Sequence, residues 1–218
     1  MRNVNTLIAD VRREAEHADF PVDRPVYEKA GKNPFDPVLF AGSLTSPVCI
    51  FGRDLGKDEV ARGQPLIGAG GKLVRQGLIR AFGGEGLEAA LQWALLTNTV
   101  PYKPPGNKAY PESVKARFRP FVAELLTRFW TGNHVICLGN EAYQWFAPYA
   151  VPGASKEFWK REDRYENDLN CTIKVASEGK SWEKQISLSP LPHPSPLNAR
   201  WYGRFPQLLD SRLTKIAK

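Results

Sequence analysis

Three short apolar runs constrain this chain most: PVCIFG at residues 47–52, WALLTNTV at 93–100 and HVICLG at 134–139. Each is strand length and ends in glycine or polar residues. None alternates apolar with polar, so each predicts a strand buried on both faces. The segments between them read as helices: GKLVRQGLIRAF at 71–82, residues 112–130 with Glu112 and Ser113 in or before the first turn, and NEAYQWFA from Asn140. Before the first strand, Val4, Leu7, Ile8, Val11 and Ala15 follow helical spacing across residues 4–17, and a proline-punctuated loop comes next. TIKVASEGKSWEKQISL reads as a hairpin turning at Glu178-Gly179, residues 150–185 otherwise carry little pattern, and the tail from Asn198 to Lys218 reads as helix. Strands alternating with helices predict an α/β fold, a three-layer α/β/α sandwich with a mainly parallel central sheet. With 218 residues, 42% of them hydrophobic, one core and one domain over 1–218 are expected.

Thirty Lys and Arg against 23 Asp and Glu leave a net charge of +7, which suits a polyanionic partner. Lys57, Arg62, Lys72, Arg75, Lys103, Lys108 and Arg200 are candidate phosphate contacts, each also readable as a solvated surface charge. No run approaches the roughly 20 apolar residues of a membrane span, and the N-terminus lacks an apolar signal core. A soluble, cytoplasmic, monomeric protein without membrane attachment is therefore expected. Cys49, Cys137 and Cys171 form no C-x-x-C pair, so neither a disulfide framework nor a cysteine metal site is indicated. Cys49 and Cys137 lie in apolar runs and are expected as buried free thiols.

Ligands of open α/β sheets bind beyond the carboxyl ends of the strands, where three segments carry polar chemistry. These are Gly52-Arg53-Asp54-Leu55-Gly56, Thr97-Asn98, and Pro192-His193-Pro194-Ser195-Pro196-Leu197-Asn198. Singly, each has an ordinary reading: Asp54 as a turn or cap, Asn98 as a partner for loop backbone, His193 as a surface histidine. Their joint occurrence in this order points to a site. GAGGK is not a phosphate loop, because G-x-x-x-x-G-K-[ST] fails at Leu66 and Leu73. Gly63, Gly68, Gly70 and Gly71 instead read either as points of close backbone approach to DNA or as turn glycines.

From about Val48 to Trp201 the sequence resembles the uracil-DNA glycosylase superfamily. IFGRDLGKDEVARGQPLIGAGGKLVRQGL and LLTNTVPYKPPGNKAYP are similar to motif regions of the iron-sulfur glycosylases of families four and five, and HPSPLNARW is closer to the final motif of family one. The resemblance implies DNA containing uracil as the partner, with Asp54 orienting the attacking water and facing the sugar cation, and His193 donating to uracil O2. It implies that Asn98 pairs with uracil O4 and N3–H, and that Gly52, Arg53, Leu55, Gly56 and Leu66 complete the base site. Gly68, Lys72, Ser195, Pro196, Leu197 and Arg200 would meet DNA, with Leu197 either a wedge in the base stack or a core leucine.

Three departures bear on that expectation. Tyr102 and Phe118 stand where the iron-sulfur families have cysteines, so no cluster, and no other cofactor, is expected, and the rings should pack in its place. Leu66 replaces a phenylalanine that stacks on the flipped base. Gly56 replaces the family-one tyrosine that blocks the thymine methyl, leaving room beside the base. A broader-range deaminated-base glycosylase and a non-catalytic module binding DNA or abasic sites are the alternatives.

Overall fold

In the computed structural model, residues 2–106 and 108–217 are described; Met1, Asn107 and Lys218, the last residue of the predicted C-terminal helix, lie outside the described residues. The strands are β1 (Phe40–Gly42), β2 (Val48–Gly52), β3 (Ala94–Asn98), β4 (His134–Leu138), β5 (Leu169–Ser177) and β6 (Lys180–Leu191). They form one sheet in the order β1-β3-β2-β4-β6-β5. β3, β2, β4 and β6 run parallel, and β1 and β5 are antiparallel edges.

Side chains alternate across a strand, so each apolar run feeds two cores. Cys49 and Phe51 join Leu95, Val135 and Cys137 on one face, against Leu7 and Val11 of α1 (Val4–His17) and Phe118 and Val122 of α5 (Glu112–Glu124). Val48 and Ile50 join Leu96 and Ile136 on the other, against Val74 and Leu78 of α4 (Ala69–Phe82) and Leu209 and Leu213 of α9 (Phe205–Ile216). Full burial contributes about 1.5–3 kcal/mol for each such aliphatic or phenylalanine side chain, which is why the runs contain almost no polar residue. The result is the predicted three-layer sandwich. The remaining helices, α2 (Arg24–Lys29), α3 (Lys57–Arg62), α6 (Asn140–Gln144), α7 (Ala154–Lys160) and α8 (Ala199–Tyr202), are short.

Several local readings need correction. The proline-punctuated stretch is not all loop: it holds α2, which buries only Tyr27, and β1, whose three residues are too few to show a period. The C-terminal segment is two helices, broken at Gly203 and Arg204. The hairpin turns where expected, with Glu178 at φ 51 and Gly179 at φ 70, the paired positive angles of a tight two-residue turn. It is longer than predicted, and the end of β6 leaves β5 to pair in parallel with β4. Cys49, Cys137 and Cys171 are buried free thiols, as expected for the first two, and burial pushes their pKa values up. Among the described residues no helix is long and apolar enough to cross a membrane.

Candidate active site

The parallel strands all end on one edge of the sheet, and β2 has neighbours leaving in opposite directions, the topology that opens a crevice. A cavity of about 670 Å³ lies there. It is lined by Gly52 through Gly56 after β2, Asn98 at the end of β3, Leu138 at the end of β4, and His193 through Asn198 after β6. Leu66, Gly68 and the first turn of α4 close one side.

Glycines let these segments meet. Gly52 pairs in register with Asn98, and a Cβ on Gly52 would overlap Asn98 Oδ1 and touch Leu66. Gly139 has φ +92 and lies against His193, where a Cβ would stand 3.1 Å from the histidine Cβ. Gly70 approaches the Pro194 carbonyl too closely for a side chain. Gly68 donates its N–H to Glu59. Close approach is therefore real at Gly70 and Gly71, with other parts of the chain as the observed partners, whereas Gly68 has room for a side chain and Gly63 is a turn glycine ending α3 at φ +66.

Asp54 follows β2 with its side chain only 2% exposed. Arg53 Nε lies 2.9 Å from Asp54 Oδ2, and Thr99 Oγ1 donates to Asp54 Oδ1 at 3.4 Å. Desolvation raises the Asp54 pKa above the usual carboxylate range, and the charges of Arg53 and Lys115 counter part of that rise. Thr99 fixes the turn by donating its N–H to the carbonyls of Gly52 and Arg53 at 3.1 and 3.0 Å.

Asn98 is buried, and its Oδ1 has no hydrogen-bond partner within the protein. An acceptor desolvated in this way costs about 1–3 kcal/mol until a donor reaches it. His193 lines the cavity and is exposed, yet partial desolvation by the surrounding protein and the nearby positive charge of Arg53 lower its pKa and favour the neutral imidazole. Its loop is braced locally: the His193 carbonyl accepts from Ser195 N at 2.9 Å and Asn198 Nδ2 at 3.1 Å.

Leu197 stands at the cavity rim 96% exposed, which excludes the core-leucine reading. Lys72 and Arg200 are exposed but do not line the cavity, and the Arg200 guanidinium lies 5.2 Å from the Trp201 ring centroid. Lys57, Arg62 and Lys108 are also exposed. Arg75 and Lys103 are not available to phosphates. Both are buried, Lys103 on Asp23 and the Pro104 and Gly106 carbonyls, Arg75 on the loop at Leu66.

Glu59 escaped the sequence reading. It accepts from Gly56 N at 3.0 Å and from Ile67 N and Gly68 N at 3.1 Å each, so one carboxylate ties the Asp54 turn to the Leu66 loop. Its place three residues after Gly56, from which a glutamate can reach back to the N-cap N–H as in one half of a capping box, was the available signal. A Cβ at Gly56 would stand 2.5 Å from Glu59 Oε2, so the space expected beside Gly56 is partly taken by this side chain.

Tyr102 and Phe118 pack with ring centroids 5.3 Å apart, and Phe20 adds a third ring 5.3 and 5.0 Å from them. These residues do not fit an iron-sulfur cluster: they offer no thiolate, and the three cysteines are buried elsewhere. Among the described residues no group of three or more His, Cys, Asp or Glu is placed to hold a metal ion.

A mainly parallel α/β sheet that presents a buried acid, an unpaired amide and an imidazole around one cavity has the build of a ligand-converting protein rather than a scaffold. The family model of the uracil DNA glycosylase superfamily matches residues 40–217, and the chain belongs to that superfamily. Membership implies a DNA glycosylase, with DNA as its substrate. No curated protein matches the chain.

Proposed function

We propose that this protein extrudes uracil from DNA and hydrolyses its N-glycosidic bond, leaving an abasic site. The observation that carries this reading is the convergence of Asp54, Asn98 and His193 on one cavity of about 670 Å³. As the bond breaks, positive charge develops on the sugar and negative charge on the departing base. The Asp54 carboxylate faces the first, and its raised pKa makes it a better acceptor for the proton of the attacking water. Water oxygen bonds to the sugar carbon as the carbon–nitrogen bond opens and its electron pair leaves with uracil. His193, neutral and therefore able to donate without giving up its proton, stabilises that anion at O2.

Asn98 selects the base. Its unpaired Oδ1 accepts uracil N3–H while its amide NH₂ donates to O4. Cytosine presents the opposite pattern and would leave both groups unsatisfied. Gly52, Arg53, Leu55 and Gly56 form the turn that surrounds the base, and Leu66 covers it. Leu197 fills the gap left in the base stack, with Ser195, Pro196, Gly68, Lys72 and Arg200 along the DNA. The protein acts as a one-domain monomer in the cytoplasm, without a cofactor. A broader base range is the second reading, favoured by the aliphatic Leu66, which offers no stacking face.

Incubation of the purified protein with a uracil-containing oligonucleotide tests the proposal. Free uracil and an alkali-labile strand are expected. A substrate that is bound but left intact would establish the non-catalytic module instead.

A further inference from the structure

Leu66 has φ 57, and among the described non-glycine residues only Glu178, in the hairpin turn, shares that left-handed conformation. A bulky residue adopts it only when its surroundings impose it. Glu59 of α3 anchors the N–H groups of the two residues that follow Leu66, and what holds the Leu66 carbonyl lies on one face of α4. The Leu66 carbonyl is seated against Gly71, where any Cβ would overlap it. One helical turn further along, Arg75 Nε donates to the same carbonyl at 3.1 Å. The rest of the guanidinium reaches Gln64 Oε1 at 3.2 Å, the Pro65 carbonyl at 3.4 Å and Glu88 Oε1 at 3.4 Å. Arg75 is 1% exposed. A buried cation therefore addresses three consecutive loop residues, and the side chain it presents, Leu66, lies over Gly52 beside Asn98 Oδ1.

We propose that Arg75 is a positioning residue: acting through Leu66, it fixes the aliphatic wall of the base cavity and so sets how firmly the extruded base is held against Asn98. The proposal rests on reading the cavity as a base pocket. Arginine suits the task because its planar fork spreads donors on separate nitrogens across Leu66, Pro65 and Gln64 in a fixed geometry, whereas a lysine would gather its donors on a single nitrogen. An aliphatic wall gives shape without stacking. Its distance from the base then decides whether Asn98 is met squarely, so a loosened loop costs rate even though no reacting group has changed.

A double-mutant cycle tests this, using single-turnover uracil release from single-stranded DNA, where no base stack must be opened. Leu66→Ala should slow release about ten-fold, in keeping with the removal of one well-packed aliphatic group from a pocket. Arg75→Lys should slow it several-fold in the Leu66 protein and less than about two-fold when Leu66→Ala is already present, because coupled residues are non-additive. A merely structural role for Arg75 would give the same loss in both backgrounds, and that result would overturn the proposal. Arg75→Gln, which keeps donors of a different reach, serves if Arg75→Lys does not fold. Hydrogen exchange over residues 64–68 supplies a readout independent of activity. Faster exchange there in the Arg75 variant supports the clamp, and unchanged exchange overturns it. If the wild-type protein releases no uracil, the functional reading fails, and the exchange result alone decides the clamp.

Discussion

Two cavities of nearly equal size differ in what their polar groups are doing. The one at the strand ends has a volume of about 670 Å³; the other, of about 650 Å³, lies among the start of α5, α6 and α7, bordered by Glu112, Gln144, Trp159 and Lys160. In the second, several of the polar side chains engage the protein itself. Arg119 donates to Glu112 at 2.6 Å, Ser155 to Gln144 at 3.1 Å and Lys160 to Glu157 at 2.8 Å, while Trp159 packs on Tyr143 with ring centroids 5.4 Å apart. In the first, the Asn98 acceptor is buried without a partner and the Asp54 carboxylate is desolvated. Volume does not distinguish the two. Nor does unmet hydrogen-bonding capacity alone, since Arg119 Nε and Tyr143 Oη beside the second are also buried without a partner; an unpartnered amide that itself lines the cavity next to a desolvated carboxylate does.

Asp54→Asn should break this contrast most sharply. Removing one preorganised electrostatic group costs roughly 100-fold to 1,000-fold in turnover, so single-turnover release should fall by about that much while affinity for uracil-containing DNA is retained. The folded-state pKa of Asp54 is raised, so its ionised form weighs against the fold above that pKa, and the cost is relieved as pH falls through it. The asparagine variant should therefore melt higher than the wild type at neutral pH. For the same reason, the acid limb of the wild-type pH–rate profile should lie above the ordinary aspartate range. Wild-type turnover by the variant would reduce Asp54 to a turn residue.

Leu197→Ala probes the rim. It should lower release from duplex DNA by about ten-fold or more while leaving single-stranded DNA nearly untouched, because the few kcal/mol of stacking that a wedge must offset exist only in the duplex. Equal losses on both substrates would remove the wedge. The smallest effect belongs to the second cavity. Gln144→Ala should change release less than about two-fold, as expected of a surface substitution away from the chemistry. A large loss there would mean that this cavity belongs to the site.

The sequence made the centre of this molecule legible and its connections less so. VCIFG, ALLTN and HVICL could be placed because burial on both faces leaves an unbroken apolar signal, and the chemistry lay at their ends. The role of β6 was hidden. Its first half alternates in the hairpin while its second half is a buried parallel strand, so neither period extends far enough to stand out. Arg75 and Lys103 were misplaced because charge in a sequence reads as surface, whereas both satisfy buried carbonyls that only the fold brings together. Glu59 shows the reverse case: its local capping signal was visible, but its bonds to Ile67 and Gly68 depend on a loop eight and nine residues away.

The central claim is that the open polar capacity at the strand ends reads a base by its hydrogen-bonding edge, with Asn98 as reader. The most direct test compares single-turnover release of uracil, cytosine, thymine and hypoxanthine from otherwise identical single-stranded oligonucleotides. A buried amide built for one donor and acceptor pattern should reject the inverted pattern strongly, so uracil should leave at least about 100-fold faster than cytosine. Release of cytosine at a comparable rate, or of another base in preference to uracil, would contradict it.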